Sequence, residues 1–292
     1  MCLDHTAETV RPQLTDGHPP PISRRAALKA GATSLALSAL WPSAAAAHHK
    51  PSHPTPPGHA RGHAPRHLVD LTHPFTVDFP VFSDSERATR RTHVTIEDDG
   101  YYLQEWSFYE HTATHVDAPG HFAPGGRLSP EISPAELFVP AVVVDISRKA
   151  RRNADAQVTV ADLIAFERRH GRIPRRAAVC MYSGWESRAG NSDSYRGTDP
   201  DGMFHFPGFS VEAVEWLLER RDITSIGVDT LSLDYGRSAT FGVHVTLLGA
   251  DRYGIENLAG LGKIPARGAT MFVGLVPWEQ GSGGPCRVIA GW

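Results

Sequence analysis

Short apolar runs recur along the chain from Leu68 onward, and most of them have the length and composition of β-strands. Runs rich in Val, Ile, Tyr or Phe and bounded by turn residues are typical of strands, whereas helices need longer stretches with a period near 3.6 residues. The strands predicted in this way cover residues 68–72, 92–97, 101–109, 141–146, 177–182, 223–228, 269–276 and 285–289.

Two helices are marked by their capping residues. Thr159 with Asp162 three residues later resembles a capping box, and Gly171 stands just past the end of the apolar pattern. A second helix is expected after Ser210 as its N-cap, and a third over about 244–251. Because strands outnumber helices and partly follow one another as in hairpins, we predict the α/β class, with a mixed β-core and a few flanking helices in a single domain.

Between the predicted elements, residues 186–209 contain Gly, Asp, Ser and Pro throughout. This composition favours a long surface loop of the kind that often covers a site. Two of the three cysteines, Cys180 and Cys286, lie beyond the first 47 residues, too few for a disulfide framework. Cys180 lies in the apolar run AAVCMY and is expected to be a small buried apolar residue.

The N-terminal part of the chain is not predicted to belong to the folded domain. Residues 1–47 resemble a bacterial twin-arginine export signal, with Ser23-Arg24-Arg25, a weakly apolar stretch and a small-residue run that offers cleavage, so we expect an exported protein at the cell surface, in the periplasm or outside the cell. The alternative is a disordered extension. The apolar stretch is about half of the roughly 20 residues that a membrane span needs, so no anchor is expected after cleavage.

Residues 48–67 hold six histidines and five prolines with almost nothing to bury, which predicts a disordered linker. A histidine-rich tract of this kind can also bind metal. The folded domain is therefore expected over 68–292. The whole chain is 41% hydrophobic and 21% charged, with a net charge of −3. No stripe of Lys and Arg alternates with aromatic residues, so a nucleic-acid partner is not indicated and a small-molecule partner is expected.

Four candidate ligands lie close together in the segment EHTATHVDAPGHFAP, residues 110–124. All four are separated by even numbers of residues, so an extended strand would place them on one face: His111, His115, Asp117 and His121. An extended chain rises about 3.3 Å per residue, however, which would separate His111 from His115 by about 13 Å. Two ligands of one ion need donor atoms within about 4 Å of each other. The backbone is therefore expected to curl, as a helical turn or as an irregular loop.

The residue types in this segment suit a catalytic metal. Neutral imidazole and carboxylate bind zinc, manganese or iron, and the lack of thiolates argues against a closed structural zinc site. His121 lies beyond Ala118-Pro119-Gly120 and is either a further ligand or a base beside the metal. The alternative is a hydrogen-bonded polar loop without metal, because the spacing H-x3-H-x-D also has false positives.

The stretch HTATHVDAPGHF resembles the H-x-G-T-H-x-D-x-P-x-H-F signature of the cyclase family of metal-dependent hydrolases, which includes bacterial kynurenine formamidases and isatin hydrolases. Three further stretches resemble family motifs in the same order: VDLTHPF at 69–75, GVDTLSLD at 227–234 and HVTLLGADRYGIENLAGLGKIPARG at 244–268. The resemblance runs from about residue 68 to the C-terminus. It implies a swivelling β/β/α fold, and Ala113 stands where the family usually has Gly.

The resemblance also implies roles for single residues. It makes His111, His115 and Asp117 the first ligand group and His121 the catalytic base. It adds His244 and Glu256, which complete a second metal position with Asp117 as the bridging ligand in two-metal members. Because some members use one metal, one or two divalent ions remain possible, with zinc or manganese expected. Asp229 and Asp234 are either acceptors that orient ligating imidazoles or structural residues at strand ends.

The function expected from these features is hydrolysis of an amide-like C–N bond by metal-activated water, in an aryl formamide, a lactam or a related cyclic amide. An aromatic substrate is expected, and some aromatic residues are candidates to stack on it: Trp106, Phe108, Tyr182, Trp185, Phe204, Phe206 and Phe209. Formylkynurenine is a cytoplasmic intermediate and fits an exported protein poorly. Two alternatives stay open: a metal-dependent cyclase, dehydratase or lactonase acting on a polyketide-like molecule, and an exported metal-binding protein. A homo-oligomer is expected.

Overall fold

Most strands of the protein belong to one large mixed sheet. A computed structural model describes residues 65–292, so the predicted export signal and nearly all of the predicted linker lie outside the described residues. The strands are β1 (Leu68–Asp70), β2 (Thr89–Val94), β3 (Leu103–Ser107), β4 (His115–Asp117), β5 (Phe138–Asp145), β6 (Gln157–Val158), β7 (Ala177–Tyr182), β8 (Gly208–Phe209), β9 (Ile223–Val228), β10 (Tyr253–Glu256), β11 (Arg267–Leu275) and β12 (Gly283–Gly291).

Helices are shorter and fewer than strands among the described residues. The α-helices are α1 (Ile96–Asp99), α2 (Ser147–Ala150), α3 (Val160–His170), α4 (Ser192–Arg196), α5 (Val211–Arg220) and α6 (Gly242–Gly249). Single 3-10 turns cover Asp84–Glu86, Pro119–His121, Ser129–Glu131, Pro134–Glu136, Trp185–Arg188 and Leu261–Lys263. The capping box predicted at Thr159 is confirmed, since its side chain accepts from the Asp162 N–H and the Asp162 carboxylate accepts from the Thr159 N–H.

The large sheet closes on itself. Its strand order is β1-β12-β11-β5-β7-β9-β10-β4, and β4 also pairs with β12. The four strands β5, β7, β9 and β10 run parallel, and the remaining pairs are antiparallel. One edge of β12 pairs with β4 near Gly283 and with β1 near Gly291. The result is a closed barrel with flanking helices, which confirms the predicted mixed α/β fold.

Side chains on the barrel strands alternate between two buried clusters. On β5, Val142 and Val144 pack with helix residues such as Leu163 and Leu217, whereas Val143 packs with the residues of the other strands. Both faces of the parallel strands are thus buried, which explains why these strands appear in the sequence as continuous apolar runs. Cys180 is buried and Cys286 nearly so, as expected for the former.

Several predicted boundaries differ from the structure. The strand predicted over 92–97 runs from Thr89 to Val94, because the Thr95 side chain accepts from the Asp98 N–H and begins α1. The strand predicted over 101–109 shortens to β3, and the third helix lies over 242–249. Within residues 65–292 no helix has the length and apolarity needed to cross a bilayer.

The prediction of one long surface loop over 186–209 was wrong. The segment contains α4 and β8, and Tyr195 and Phe206 from it are almost fully buried. Polar and glycine residues are frequent here because the elements are short and need several turns. His67, at the end of the predicted linker, pairs with Trp292 through backbone hydrogen bonds of 3.1 and 3.2 Å.

Candidate metal centre

Strand β4 places two of the candidate ligands side by side. Side chains alternate along a strand, so His115 and Asp117 share one face while Val116 packs in the barrel core. On β10, Glu256 lies directly opposite His115 in the antiparallel register. Three of the predicted ligands therefore meet on one buried surface, through pairing of two short strands.

His111 reaches the same surface because the chain turns before β4. Ala113 has a φ of 56°, in the left-handed region. This turn brings the Nδ1 atom of His111 to 2.7 Å from Oδ1 of Asp117. The expected curl is confirmed between His111 and His115. Beyond it the chain is extended, so the short strand 115–117 was missed by the sequence argument.

The last candidate nitrogen ligand comes from helix α6. His244 Nε2 lies 3.1 Å from Glu256 Oε1 and 3.7 Å from Asp117 Oδ2. Its Nδ1 atom pairs with Asp234 Oδ2 at 2.7 Å, and the same carboxylate accepts the backbone N–H groups of Val243 and His244. Asp234 thus orients the His244 imidazole, one of the two roles left open by the sequence.

Asp229 has the other role left open by the sequence, that of a structural residue at a strand end. Its carboxylate accepts hydrogen bonds from the backbone N–H groups of Ser183, Gly184 and Trp185 and touches no candidate ligand. It organises the turn that follows β7.

The five candidate ligands form two groups that share Asp117. One group is His111, His115 and Asp117, the other is Asp117, His244 and Glu256, and the donor atoms within each group lie within 4.8 Å of one another. All except His111 are buried. Two buried atoms, His115 Nε2 and Asp117 Oδ2, have no hydrogen-bond partner among the described residues. Orphaned buried polar atoms are costly, and a divalent cation satisfies a nitrogen lone pair and a carboxylate oxygen together, so the residues fit a metal.

The metal-free pKa values reflect the two acidic groups at the centre. Burial by itself lowers the pKa of His115, but the acidic groups of Asp117 and Glu256, 3.2 and 3.4 Å from its Nε2 atom, outweigh it and raise the pKa to about 10. Burial opposes ionisation of Asp117, yet His115 and the neighbouring imidazoles hold its pKa well below the ordinary value. The Asp117 carboxylate is therefore ionised and attracts cations, whether protons or metal ions.

His121 lies next to the two groups without belonging to either. The 3-10 turn Pro119–His121 places the His121 ring on the His111 ring. The two rings are stacked, with centroids 3.8 Å apart and planes at 23°. Burial, with the nearby His111 and His244 acting in the same direction and Asp117 opposing, lowers the pKa of His121 to about 4. Its imidazole is therefore neutral at pH 7.

A cavity of about 280 Å³ opens onto these groups. Its aromatic lining was missed by the sequence analysis and consists of Phe82, Tyr109, Phe122 and Phe241. The aromatic residues proposed from the sequence as substrate contacts do not line it, and Trp185, Phe206 and Phe209 are core residues. Tyr109 and Phe122 flank the histidine motif, a signal that could have indicated them. Phe82 is brought in only by tertiary packing against Phe204 and Phe241.

The described residues that line this cavity include no lysine or arginine. The ionisable groups that line it are three acids, Glu86, Asp117 and Glu256, together with the histidines and Tyr109. A closed mixed barrel with an imidazole and carboxylate centre at the floor of an aromatic cavity defines a metal-dependent enzyme that acts on a small molecule.

Comparisons with known proteins identify the family. The model of the family described as "Putative cyclase" matches residues 69–235. Isatin hydrolase from Roseibium aggregatum is 32% identical over 203 residues, 66% of this chain and 76% of that protein. Kynurenine formamidase from Erythrobacter litoralis is 24% identical over 225 residues, 77% of this chain and 93% of that protein. The solved structure of isatin hydrolase A from Ralstonia solanacearum matches with a TM-score of 0.73 and 34% identity, over 77% of this chain and 91% of that chain.

The chain belongs to the cyclase family, as the sequence motifs predicted, and it is a metal-dependent hydrolase of that family. At the family level the reaction is hydrolysis of an amide C–N bond.

Proposed function

We propose that the protein opens a neutral aryl lactam of the isatin type, using a divalent ion, zinc or manganese, held by His111, His115 and Asp117. A second ion would be held by Asp117, His244 and Glu256. The observation that carries the metal centre is the pair of unpartnered buried atoms, His115 Nε2 and Asp117 Oδ2. The similarity to two isatin hydrolases supports the substrate class.

A divalent ion bound there would supply Lewis acidity, polarising a carbonyl group and lowering the pKa of water toward 7. The residues of this chain perform the remaining tasks. His121 is neutral at pH 7 and borders the cavity, so it can accept a proton from the attacking water and return it to the leaving nitrogen. The aromatic side chains hold an aryl ring and exclude water from the reacting amide.

The charges of the cavity favour a neutral substrate. A substrate with an amino-acid head group, such as N-formylkynurenine, carries a carboxylate that needs a cationic partner. The described lining offers no lysine or arginine for it and adds the carboxylate of Glu86. A fused cyclic amide without ionised groups fits this lining, since its aryl ring meets Phe82, Phe122 and Phe241.

Turnover of defined substrates by the metal-loaded protein tests the proposal. We expect hydrolysis of isatin with incorporation of one oxygen from labelled water, much slower hydrolysis of N-formylkynurenine, and loss of activity with a chelator. Elemental analysis gives the identity and number of ions. Isatin left intact by metal-loaded protein, or product without solvent oxygen, would refute the proposal, and the latter would favour a cyclase or dehydratase instead.

Export through the twin-arginine route and a homo-oligomeric state are also proposals. Mass spectrometry of the protein secreted by a bacterial host would locate a cleavage site near residue 47, and light scattering of the purified protein would give its assembly. Retention of residues 1–47 in the mature protein would contradict the first, and a monomer would contradict the second.

A further inference from the structure

A tight loop before β12 packs against the outer side of His111. Gly283 lies so close to β4 that an added Cβ would stand 2.1 Å from the Val116 carbonyl oxygen and 2.7 Å from Cε1 of His111. No side chain other than hydrogen fits there. The neighbouring residue, Ser282, is thereby held beside the imidazole on the side away from Asp117.

Ser282 connects His111 to an acid that the proposed reaction does not use. His111 Nε2 lies 3.0 Å from Ser282 Oγ, and Ser282 Oγ lies 2.6 Å from Oε2 of Glu110. The Ser282 backbone N–H donates to the same carboxylate oxygen at 2.9 Å. The three groups form a continuous chain of hydrogen bonds that ends at His111.

The direction of the hydrogen bond to Glu110 fixes the role of the Ser282 hydroxyl. Its single proton is donated to Oε2 of Glu110. Ser282 Oγ can then only accept from Nε2 of His111, so this nitrogen carries a proton. The ring therefore offers a metal ion its other nitrogen, Nδ1, which lies 2.7 Å from Oδ1 of Asp117.

We propose that Ser282 and Glu110 are positioning residues that keep Nε2 of His111 as the protonated ring nitrogen in the metal-bound centre, so that Nδ1, beside Asp117, binds the ion. The other two imidazoles are held the opposite way. His115 Nδ1 lies 2.8 Å from the Ala113 carbonyl oxygen, and His244 Nδ1 is bound to Asp234, so both present Nε2. His111 alone among the three would bind through Nδ1. Acceptors behind ligating histidines orient the ring and raise its basicity.

This inference rests on the proposed metal centre but not on the substrate, so it can be tested without turnover. Long-range ¹H–¹⁵N spectra of the zinc-loaded full chain, with the His111 signal assigned by its absence in His111→Gln, report which ring nitrogen carries a proton. We expect the proton on Nε2 of His111 and on Nδ1 of His115. A proton on Nδ1 of His111 would overturn the inference. A protein that binds no zinc would overturn both the inference and the proposed function.

The zinc affinity of variants tests the same inference independently. Ser282→Ala removes the acceptor but keeps the backbone N–H bond to Glu110, and zinc affinity measured against a competing chelator should fall about 10- to 100-fold. Glu110→Gln should weaken binding in the same direction. The matched controls are Ser187→Ala and Glu97→Gln, both on exposed residues. Thermal unfolding of the metal-free proteins separates a folding defect from lost affinity. Affinity of Ser282→Ala within twofold of the parent, in a protein that is folded, would contradict the assignment.

Discussion

His121 differs from the other histidines of the centre in that it belongs to neither ligand group. Replacing it by Ala should lower kcat for the lactam about 10²- to 10⁴-fold, the usual worth of a general base, and leave metal content unchanged. His115→Ala, the matched comparison, should lose metal as well as activity. Activity assays combined with metal analysis of the same samples distinguish the His121→Ala variant from the His115→Ala variant. Normal turnover by metal-loaded His121→Ala would exclude the base role.

Ala113 occupies a backbone conformation that favours glycine. Its φ of 56° costs a non-glycine residue roughly 1 kcal/mol. Glycine would remove that strain, but its greater freedom in the unfolded chain would lower the free energy of unfolding by a similar amount. Ala113→Gly should therefore change the free energy of unfolding by less than about 1 kcal/mol.

Ala113→Val is the contrasting variant, because a β-branched residue at positive φ is strongly strained. We expect it to destabilise the protein by about 1 to 3 kcal/mol and to weaken metal binding, since the turn positions both His111 and the carbonyl that orients His115. Urea unfolding and zinc competition measure the two effects. Equal behaviour of the Gly and Val variants would show that the turn is not required.

At the level of elements, β4 is a three-residue strand that depends on its two neighbours. It is paired with β10 on one side and β12 on the other. Gly283→Ala places a methyl group against the Val116 carbonyl, so the strands must separate, at a cost of about 1 to 3 kcal/mol or more. Both stability and metal affinity should fall. The control Gly190→Ala adds a methyl into open space and should be silent in both assays.

The segment between α4 and β8 is fastened by a histidine between two acids. His205 lies 3.0 Å from Asp155 through Nδ1 and 3.2 Å from Asp199 through Nε2. Both contacts require the doubly protonated ring. The hydrogen bond with Asp199 raises the pKa of His205, burial opposes it, and Asp155 adds to the rise.

Because the pKa of His205 is higher in the folded protein, the protonated ring stabilises the segment fully at a pH below 6.5, the ordinary pKa. This stabilisation is lost as the pH rises through the folded-state pKa. Hydrogen exchange, corrected for its intrinsic pH dependence, should show protection over 199–205 falling about two- to fivefold across that window. In His205→Gln the dependence should disappear. Protection that rises with pH in the parent would have the wrong sign for this ion pair.

Some helices and strands could be predicted from the sequence better than others. Helix α3 was predictable because its capping box and terminal glycine are local signals, and β7 and β9 because both faces are buried. Strands β4 and β10 were not predicted, since each is short and carries candidate metal ligands where an ordinary strand has apolar side chains. Their pairing partners lie far away in the chain, so no local pattern specifies them.

At the scale of the whole molecule, a metal would stabilise the fold by binding only the native state. At a free ion concentration 100 times the Kd, the gain is about 2.7 kcal/mol. We therefore expect chelation to lower Tm, and restoration of zinc or manganese to reverse the change. A Tm that is insensitive to both treatments would argue against a structural contribution of the centre.

Protons compete with that ion. The pKa of His115, raised to about 10, keeps it protonated at pH 7 in the metal-free protein. Its contribution to metal-free stability is full below about pH 6.5 and is lost as the pH rises through 10. Metal binding needs the neutral ring, so uptake at pH 7 should release protons, and affinity should rise with pH. Calorimetry in buffers of different ionisation enthalpy measures that release, and no release would contradict the shifted pKa.

Local patterns and short signatures along the chain were enough to predict the fold class, the capped helices and the buried parallel strands. Four ordered motifs also predicted the family, with its five candidate ligands and His121. Folding in three dimensions was needed to show how the candidate ligands group around Asp117, which acid supports His244, which aromatic residues line the cavity, and that Ser282 and Glu110 stand behind His111. Each of these depends on contacts between segments far apart in the chain, made by barrel closure and loop packing, which spacing along the chain does not encode.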